Sequence, residues 1–468
     1  MSRDSIYFLR INSNSEKKFL LKTGLIFDGL ILRANYFESS SGFLSGLLLK
    51  LASSDSTFHY IIDPVTYVFS LEPSFMRSWQ IIKLENADKK LRKDLHLAEN
   101  SIIPSEWKQN IENPTPKQKG KIQILGVNRG YRKLADCYFE EDMSKFAGIK
   151  SILPEDFNND SLGVFINSII NYQKKHILEK YRTDKFQEFE NVVPEPSFIL
   201  SPYFLIKDTS WFRFMIEIWL KFENVYLEKN RAIVILIEFS FLNDNFDAII
   251  EVIKSLKSQN IFLWINNFFE DKSAIEELKV YTNFVITLSK VGKKIINLYP
   301  GGFSPFIIPF GLYGVIDNPG YGLSRDVSPV KGGIIGAKYY IPTLHIRENI
   351  LEVVDLMEKN KVGLNRADFL NDVCNCPICQ DAIKKDYIDM ILYFNELTPS
   401  KKNPDKSFPT IRAIERCNFH FILSRLIEYR WAKNASKSDT IERLSRESRI
   451  WPYNSSHLTN WIEVLKSL

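Results

Sequence analysis

Between residues 196 and 317 the chain alternates short, almost unbroken apolar runs with stretches whose apolar residues recur every three or four positions. "PSFILSPYFLI" (196–206), "AIVILIEFS" (232–240), "IFLWINNF" (261–268), "NFVITLS" (283–289) and a stretch near "GLYGVID" (311–317) predict strands. Helices are predicted over 210–229, 246–259, 272–281 and 290–299. Upstream, "GLIFDGLILRANYF" (24–37) and "FHYIID" (58–63) add two early strands. Strands that are apolar throughout, with no polar alternation, are buried on both faces. With amphipathic helices between them they predict a parallel sheet covered on both sides. Repeated β–α units of this kind fit a TIM (β/α)8 barrel or a doubly wound sheet. No G-x-G-x-x-G follows the first strand, which disfavours dinucleotide binding and favours the barrel.

The segment from about 85 to 190 breaks the pattern. It is polar, lysine-rich and turn-rich, as in "NPTPKQKGK" (113–121), and reads as an insertion in a β–α connection. The expected organisation is a barrel over 1–350, a metal-binding subdomain over 351–434 and a helical tail over 435–468. At 468 residues with 45% apolar side chains, the chain is long enough for one large core and a smaller appendage. The N-terminal stretch lacks the apolar run of a signal peptide, and no uninterrupted apolar run suits a membrane span.

The net charge of +5 says little until it is divided. Residues 107–133 carry seven Lys/Arg against one acid, and residues 401–449 carry twelve against six, so the remainder is net acidic. Segregated positive charge suits a polyanion such as nucleic acid, and equally a solvated surface.

Cysteine is scarce, with five in the chain, yet Cys374, Cys376 and Cys379 fall within "NDVCNCPICQ". An odd, clustered set argues against a disulfide framework and for a reducing, cytoplasmic address. Three thiolates at C-x-C-x2-C spacing suit a tetrahedral zinc ion, which needs a fourth ligand. The amphipathic helix "AIERCNFHFILSRLIEYRW" (413–431) offers two, His420 and, one turn earlier, Cys417; His420 is preferred. A closed four-ligand site is structural, pinning a loop to a helix.

C-x-C-x2-C with a later helical histidine resembles the zinc site of tRNA-guanine transglycosylases, which are TIM barrels with a zinc subdomain near the barrel's C-terminal end. The spacing to the histidine is longer here, and "TPSKKNPDKSFPT" (398–410) accounts for the extra length. In that family one carboxylate attacks C1′ of the nucleoside and a second acid moves a proton to and from the bases. "GVIDNPGYGLSRD" (314–326) is similar to the nucleophile segment, with Asp317, Tyr321 at +4 and Leu323 at +6. An aspartate closing a barrel strand also sits where barrel chemistry belongs. "YIIDPVTYVFS" (60–70) is similar to the general acid/base segment, with Asp63 and Tyr67; an Asp-Pro turn is the plainer reading. The order Asp63, Asp317, C-x-C-x2-C, His420 is the family's order. The resemblance therefore implies that Asp63 and Asp317 meet at one mouth of the barrel, within reach of a sugar.

The chain also departs from the family. Ser201, Pro202 and Tyr203 stand where the tRNA enzymes carry a base-gripping acid, and their Gly-Gly loops are missing. Glu238, Asn266 and Asn267 end the next two strands and are candidates to replace them. His345 and Arg347, which follow Asp317 closely, are candidates to line the site or grip phosphate. Departures of this kind resemble the divergent DNA-modifying, DpdA-type branch, which implies exchange of guanine for a 7-deazaguanine such as preQ0 in DNA. tRNA remains the alternative polymer, and a non-catalytic zinc-stabilised accessory subunit the alternative role. Other modification-pathway proteins and a second copy of the chain are the further partners this reading allows; a membrane is not among them.

Overall fold

The computed structural model of the protein describes residues 5–12, 14–24, 26–39, 41–54, 59–71, 129–141, 143, 151–176, 193–320, 322–327, 336–400 and 406–468. Its centre is a parallel barrel. In chain order the strands are β1 (Ile6–Ile11), β2 (Gly29–Arg33), β3 (Tyr60–Asp63), β4 (Ile199–Leu200), β5 (Leu205–Ile206), β6 (Arg231–Glu238), β7 (Asn260–Asn266), β8 (Lys294–Asn297) and β9 (Gly314–Asp317). The spatial order is β3-β2-β1-β9-β8-β7-β6-β4, and the two-residue β5 adds to β6 beyond β4. Parallel bridging of Ile61 with Phe198, with the Ser197 amide donating to the Tyr60 carbonyl at 2.8 Å, brings the two ends of that order together. The eight main strands thus form a nearly closed (β/α)8 barrel.

The apolar run on β6 explains its place. Ala232 to Ile237 are all buried, facing the barrel interior on one side and helices on the other. Each fully buried aliphatic side chain contributes roughly 1.5–3 kcal/mol. Paired with β7 through seven residues, from Ala232↔Asn260 to Glu238↔Asn266, it forms the longest parallel ladder of the barrel.

Three sequence expectations need correction. "NFVITLS" is the second half of one helix, Ile275–Lys290, and the strand comes after it as β8, inside the stretch expected to be helical. Leu278, Tyr281, Val285 and Leu288 recur at helical spacing and are buried on one face, which overrides the β-branched Val, Ile and Thr. Gly292, at φ +84°, ends that helix and turns the chain into β8. Among the described residues of 24–37 only Gly29–Arg33 is strand, and Ala34–Ser39 is helix. The first barrel strand, β1, went unread because polar residues surround "IYFLRI" closely on both sides.

The connection from β3 to β4 spans 64–198. Within it the helices Arg129–Tyr138 and Asn159–Asn171 pack on the barrel, and the Tyr138 hydroxyl donates to the Pro64 carbonyl. The loop 113–121 and most of the first basic segment lie outside the described residues. After β9 come the antiparallel hairpin β10 (Lys338–Ile341) and β11 (Ile346–Asn349), the helix Ile350–Asn360 and the cysteine loop. The long helix Ile411–Asn434 and the helices Lys437–Ile450 and Ser456–Lys466 complete the chain. Among the described residues no helix is long and apolar enough to cross a membrane.

Candidate functional site

The cysteine loop and the long helix converge. Cys374 follows a wide π-helical turn over Phe369–Val373; Cys376 caps, and Cys379 lies within, the short helix Pro377–Ala382. With His420 they form a buried group whose ligand atoms all lie within 4.8 Å of one another. His420 Nδ1 is 3.3 Å from the Cys376 sulfur, 3.4 Å from Cys379 and 3.9 Å from Cys374. Its other nitrogen, Nε2, lies 2.7 Å from the Tyr340 carbonyl, which takes the proton there and leaves Nδ1 as a lone-pair donor. The Tyr339 ring stacks on the imidazole at 4.0 Å and fixes its plane. A tetrahedral metal with bonds of about 2.3 Å to sulfur sets its sulfurs about 3.8 Å apart, so the donor set fits one ion and leaves no open position. Cys417 points elsewhere, with its sulfur 3.8 Å from the Phe394 carbonyl, as a helix-face core residue.

Both aspartates end barrel strands at the C-terminal mouth, but the pleat sends them to opposite faces of the sheet. Partners in a parallel ladder point the same way. Asp63 pairs with Arg33, and on β2 Ile31 pairs with Arg10. Through Phe8↔Ile316, Ile296↔Gly314 and Phe262↔Ile296, this face continues to Phe262 and Trp264 on β7. Phe262 meets the Phe198 ring beside β4 across the interior, at 5.6 Å, so this is the lumen face. Asp317 pairs with Leu9 and shares the outer face with Tyr7, which stacks on Tyr429 of the long helix.

In the lumen, Arg10 Nη1 donates to Asp63 Oδ2 at 2.5 Å, and the Tyr203 hydroxyl and Val65 amide donate to Oδ1 at 2.6 and 3.0 Å. Burial alone would push this carboxyl up, but the Arg10 charge and these hydrogen bonds hold it below the usual aspartate value. Around the pair stand four rings. Tyr67 stacks on Tyr203 and meets Trp264 edge-on, and Trp264 contacts Tyr299 at 4.3 Å. The Arg10 guanidinium lies over Tyr299 at 4.5 Å, and that of Arg325 spans Tyr299 and Trp264.

Between the barrel and the long helix, Arg425 grips both oxygens of Asp317, Nε to Oδ2 at 3.0 Å and Nη2 to Oδ1 at 3.2 Å. Its Nη1 donates to Glu428 at 2.6 Å, and Nη2 also reaches the Gly301 carbonyl at 3.1 Å. The ion chain continues from Glu428 to His345 at 2.5 Å, from His345 to Glu447 at 2.8 Å, and on to Arg443. All of these are buried apart from the partly exposed Arg443. Burial would lower the His345 pKa, but the two glutamates raise it above its ordinary value.

No family model matches this chain, and no curated protein sequence does either.

The remaining candidates fall into place around these two centres. Tyr67 walls the lumen. Glu238 accepts from the side-chain amides of Asn266, at 2.7 Å, and Asn267. Asn266 Oδ1 and the Asn267 amide in turn hold Val327 and Asp326, so this trio anchors the loop after β9 at the mouth. Arg347 donates to the carbonyls of Pro319 and Lys338 and to Asn418, which ties the turn after Asp317 to the long helix. Burial pulls its pKa down to about 10. His345 and Arg347 are thus committed to protein partners on the Asp317 side, not turned to the lumen. Tyr321 lies outside the described residues.

The sequence pattern did not single out Arg10, Tyr299, Trp264 and Arg425, and it named Tyr203 only as standing in place of a base-gripping acid. Two left a signal, since Arg10 and Arg425 are lone charges inside the apolar stretches "IYFLRI" and "HFILSRLI".

Proposed function

We propose that this chain is a nucleic-acid guanine transglycosylase that exchanges guanine for a 7-deazaguanine such as preQ0 in DNA. The observation that carries the reading is the lumen mouth: a carboxylate, Asp63, held by a guanidinium and walled by Tyr67, Tyr203, Trp264 and Tyr299. Aromatic faces suit a flat base lifted from its stack. A buried acid beside them suits the proton traffic of base exchange. Zinc in the Cys374, Cys376, Cys379 and His420 group is part of the same reading, as a structural ion supplying cohesion and no chemistry. So is a cytoplasmic, reducing setting. Exposed Arg412, Arg430, Lys437, Arg446 and Arg449 along the C-terminal helices offer phosphate contacts, which position without reading sequence.

In this scheme an Asp317 oxygen bonds to C1′ while the C1′–N9 bond breaks and its electron pair leaves with guanine, which takes a proton. The incoming base then attacks C1′ through N9, loses its N9 proton, and releases the carboxylate. Asp63 is the proton carrier. Attack requires Arg425 to release at least one Asp317 oxygen and the side chain to reach the lumen. That clamp is the specific observation favouring a second reading, a non-catalytic accessory subunit in which the ion pair is permanent.

The test incubates the metal-loaded protein with radiolabelled guanine or preQ0 and either duplex DNA or tRNA. The proposal expects label in DNA and none in tRNA, and its loss in Asp63→Asn and Asp317→Ala. Label in tRNA alone reassigns the polymer. Polymer binding with no label in either selects the accessory reading.

A further inference from the structure

Arg10 is 0% exposed, yet its guanidinium is only partly used. Nη1 goes to Asp63, while Nε and Nη2 have no hydrogen-bond partner among the described residues. Buried donors of a charged group are rarely left open, because losing their water costs more than almost any single contact returns. A structural ion pair would fill the fork with a second acceptor. Here the guanidinium instead lies over the Tyr299 ring, the Asp63 carboxylate holds one corner, and the two open donors belong to a side chain on the lumen face of β1. Nearby, Asn12 Nδ2 bonds Asn318 Oδ1 at 2.7 Å while Asn12 Oδ1 stays open.

From this geometry we infer that Arg10 is a ligand-binding residue that reads one edge of the base. The inference rests on the base-exchange reading above. Two adjacent N–H donors in a rigid fork match two acceptors on one rim of a flat ring, and O6 with N7 of guanine is such a rim. Asp63 then has two tasks, since the carboxylate that would move protons also fixes the plane of the guanidinium. The edge that Arg10 reads is the one that differs between the two bases. Guanine offers O6 and N7, whereas a 7-deazaguanine has carbon at position 7 and keeps O6 alone. Arg10 therefore favours the outgoing base over a plain 7-deazaguanine, and a 7-substituent carrying its own acceptor, such as a nitrile, restores the second contact.

The experiment measures binding of free bases to the metal-loaded protein by calorimetry. Guanine is compared with 7-deazaguanine, which lacks the N7 acceptor, and with 6-thioguanine, whose sulfur accepts weakly. Both analogues keep N1–H and the 2-amino group. We expect guanine to bind roughly ten- to a hundredfold tighter than either analogue, and 7-cyano-7-deazaguanine to recover most of the loss. In Arg10→Lys, which keeps the charge and loses the fork, the ladder flattens to within about threefold. Should that variant fail to fold, the wild-type ladder alone still decides. Bases bound with equal affinity overturn the role of Arg10 and leave base binding standing. No binding of any base overturns both.

Discussion

Arg425→Met isolates the ion pair on which the fate of Asp317 depends. Methionine keeps the unbranched apolar stem, so little cavity opens, and the loss falls on the polar contacts. Asp317 loses both of its Arg425 bonds, at 3.0 and 3.2 Å, while its carboxylate stays buried. Glu428 loses one contact at 2.6 Å but keeps His345 and the Tyr340 hydroxyl. The penalty is therefore that of one stranded buried charge, about 3–5 kcal/mol. An unfolding entropy of roughly 2.1 cal/mol/K per residue amounts to about 1 kcal/mol/K over 468 residues, so the melting temperature should fall by about 3–5 °C. Adding Asp317→Asn removes the stranded charge, and the double variant should regain at least about 2 °C of that loss. Scanning calorimetry of the metal-loaded wild type, both single variants and the double variant closes the cycle. A loss under about 1 °C for Arg425→Met, or a double variant no more stable than that single one, would show that the pair is not the tight buried clamp described here.

Two further outcomes follow from the same contacts. Cys376→Ser and His420→Ala should each lose close to one bound metal per chain by elemental analysis, whereas Cys417→Ser should keep it; a metal lost with Cys417 instead would move the fourth ligand. Because Glu428 and Glu447 raise the His345 pKa above 6.5 despite burial, the stability it contributes is complete below that pH and fades as pH rises through the raised value. His345→Gln should thus be most damaging in neutral to mildly acidic solution, and parallel pH–stability curves for variant and wild type would refute the charge assignment.

What could be read from the sequence followed the range of the interactions. The β6 and β7 runs and the cysteine spacing are local, and local periodicity carries them. The helix over 275–290 was misread because composition was weighed above the spacing of Leu278, Tyr281, Val285 and Leu288. Asp63 and Asp317 could be placed at strand ends, and so at one mouth, from local pattern alone. Their opposite faces could not, since the phase of the pleat is settled only when every strand from β3 round to β7 is in register. Arg10 and Arg425 meet their aspartates across 53 and 108 residues of sequence, and no local signal says which acid a lone buried arginine will choose.

The two faces also decide what an exchange reaction would demand of this fold. Freeing Asp317 from Arg425 means breaking a buried two-point ion pair, at a cost of about 3–5 kcal/mol. A free base offers too few contacts, and none on the outer face, to offset that. A polymer with several phosphates along the C-terminal helices, at about 1 kcal/mol or more for each charge-assisted contact, does offer enough. The long helix that bears Arg425 also bears His420, five residues earlier, so the Cys374, Cys376, Cys379 and His420 group and the clamp share one helix. On the catalytic reading, then, nucleic acid binds first and moves that helix relative to β9, and a base without polymer never meets a free nucleophile. On the accessory reading the same helix stays fixed, and bound nucleic acid leaves the grip of Arg425 on Asp317 unchanged.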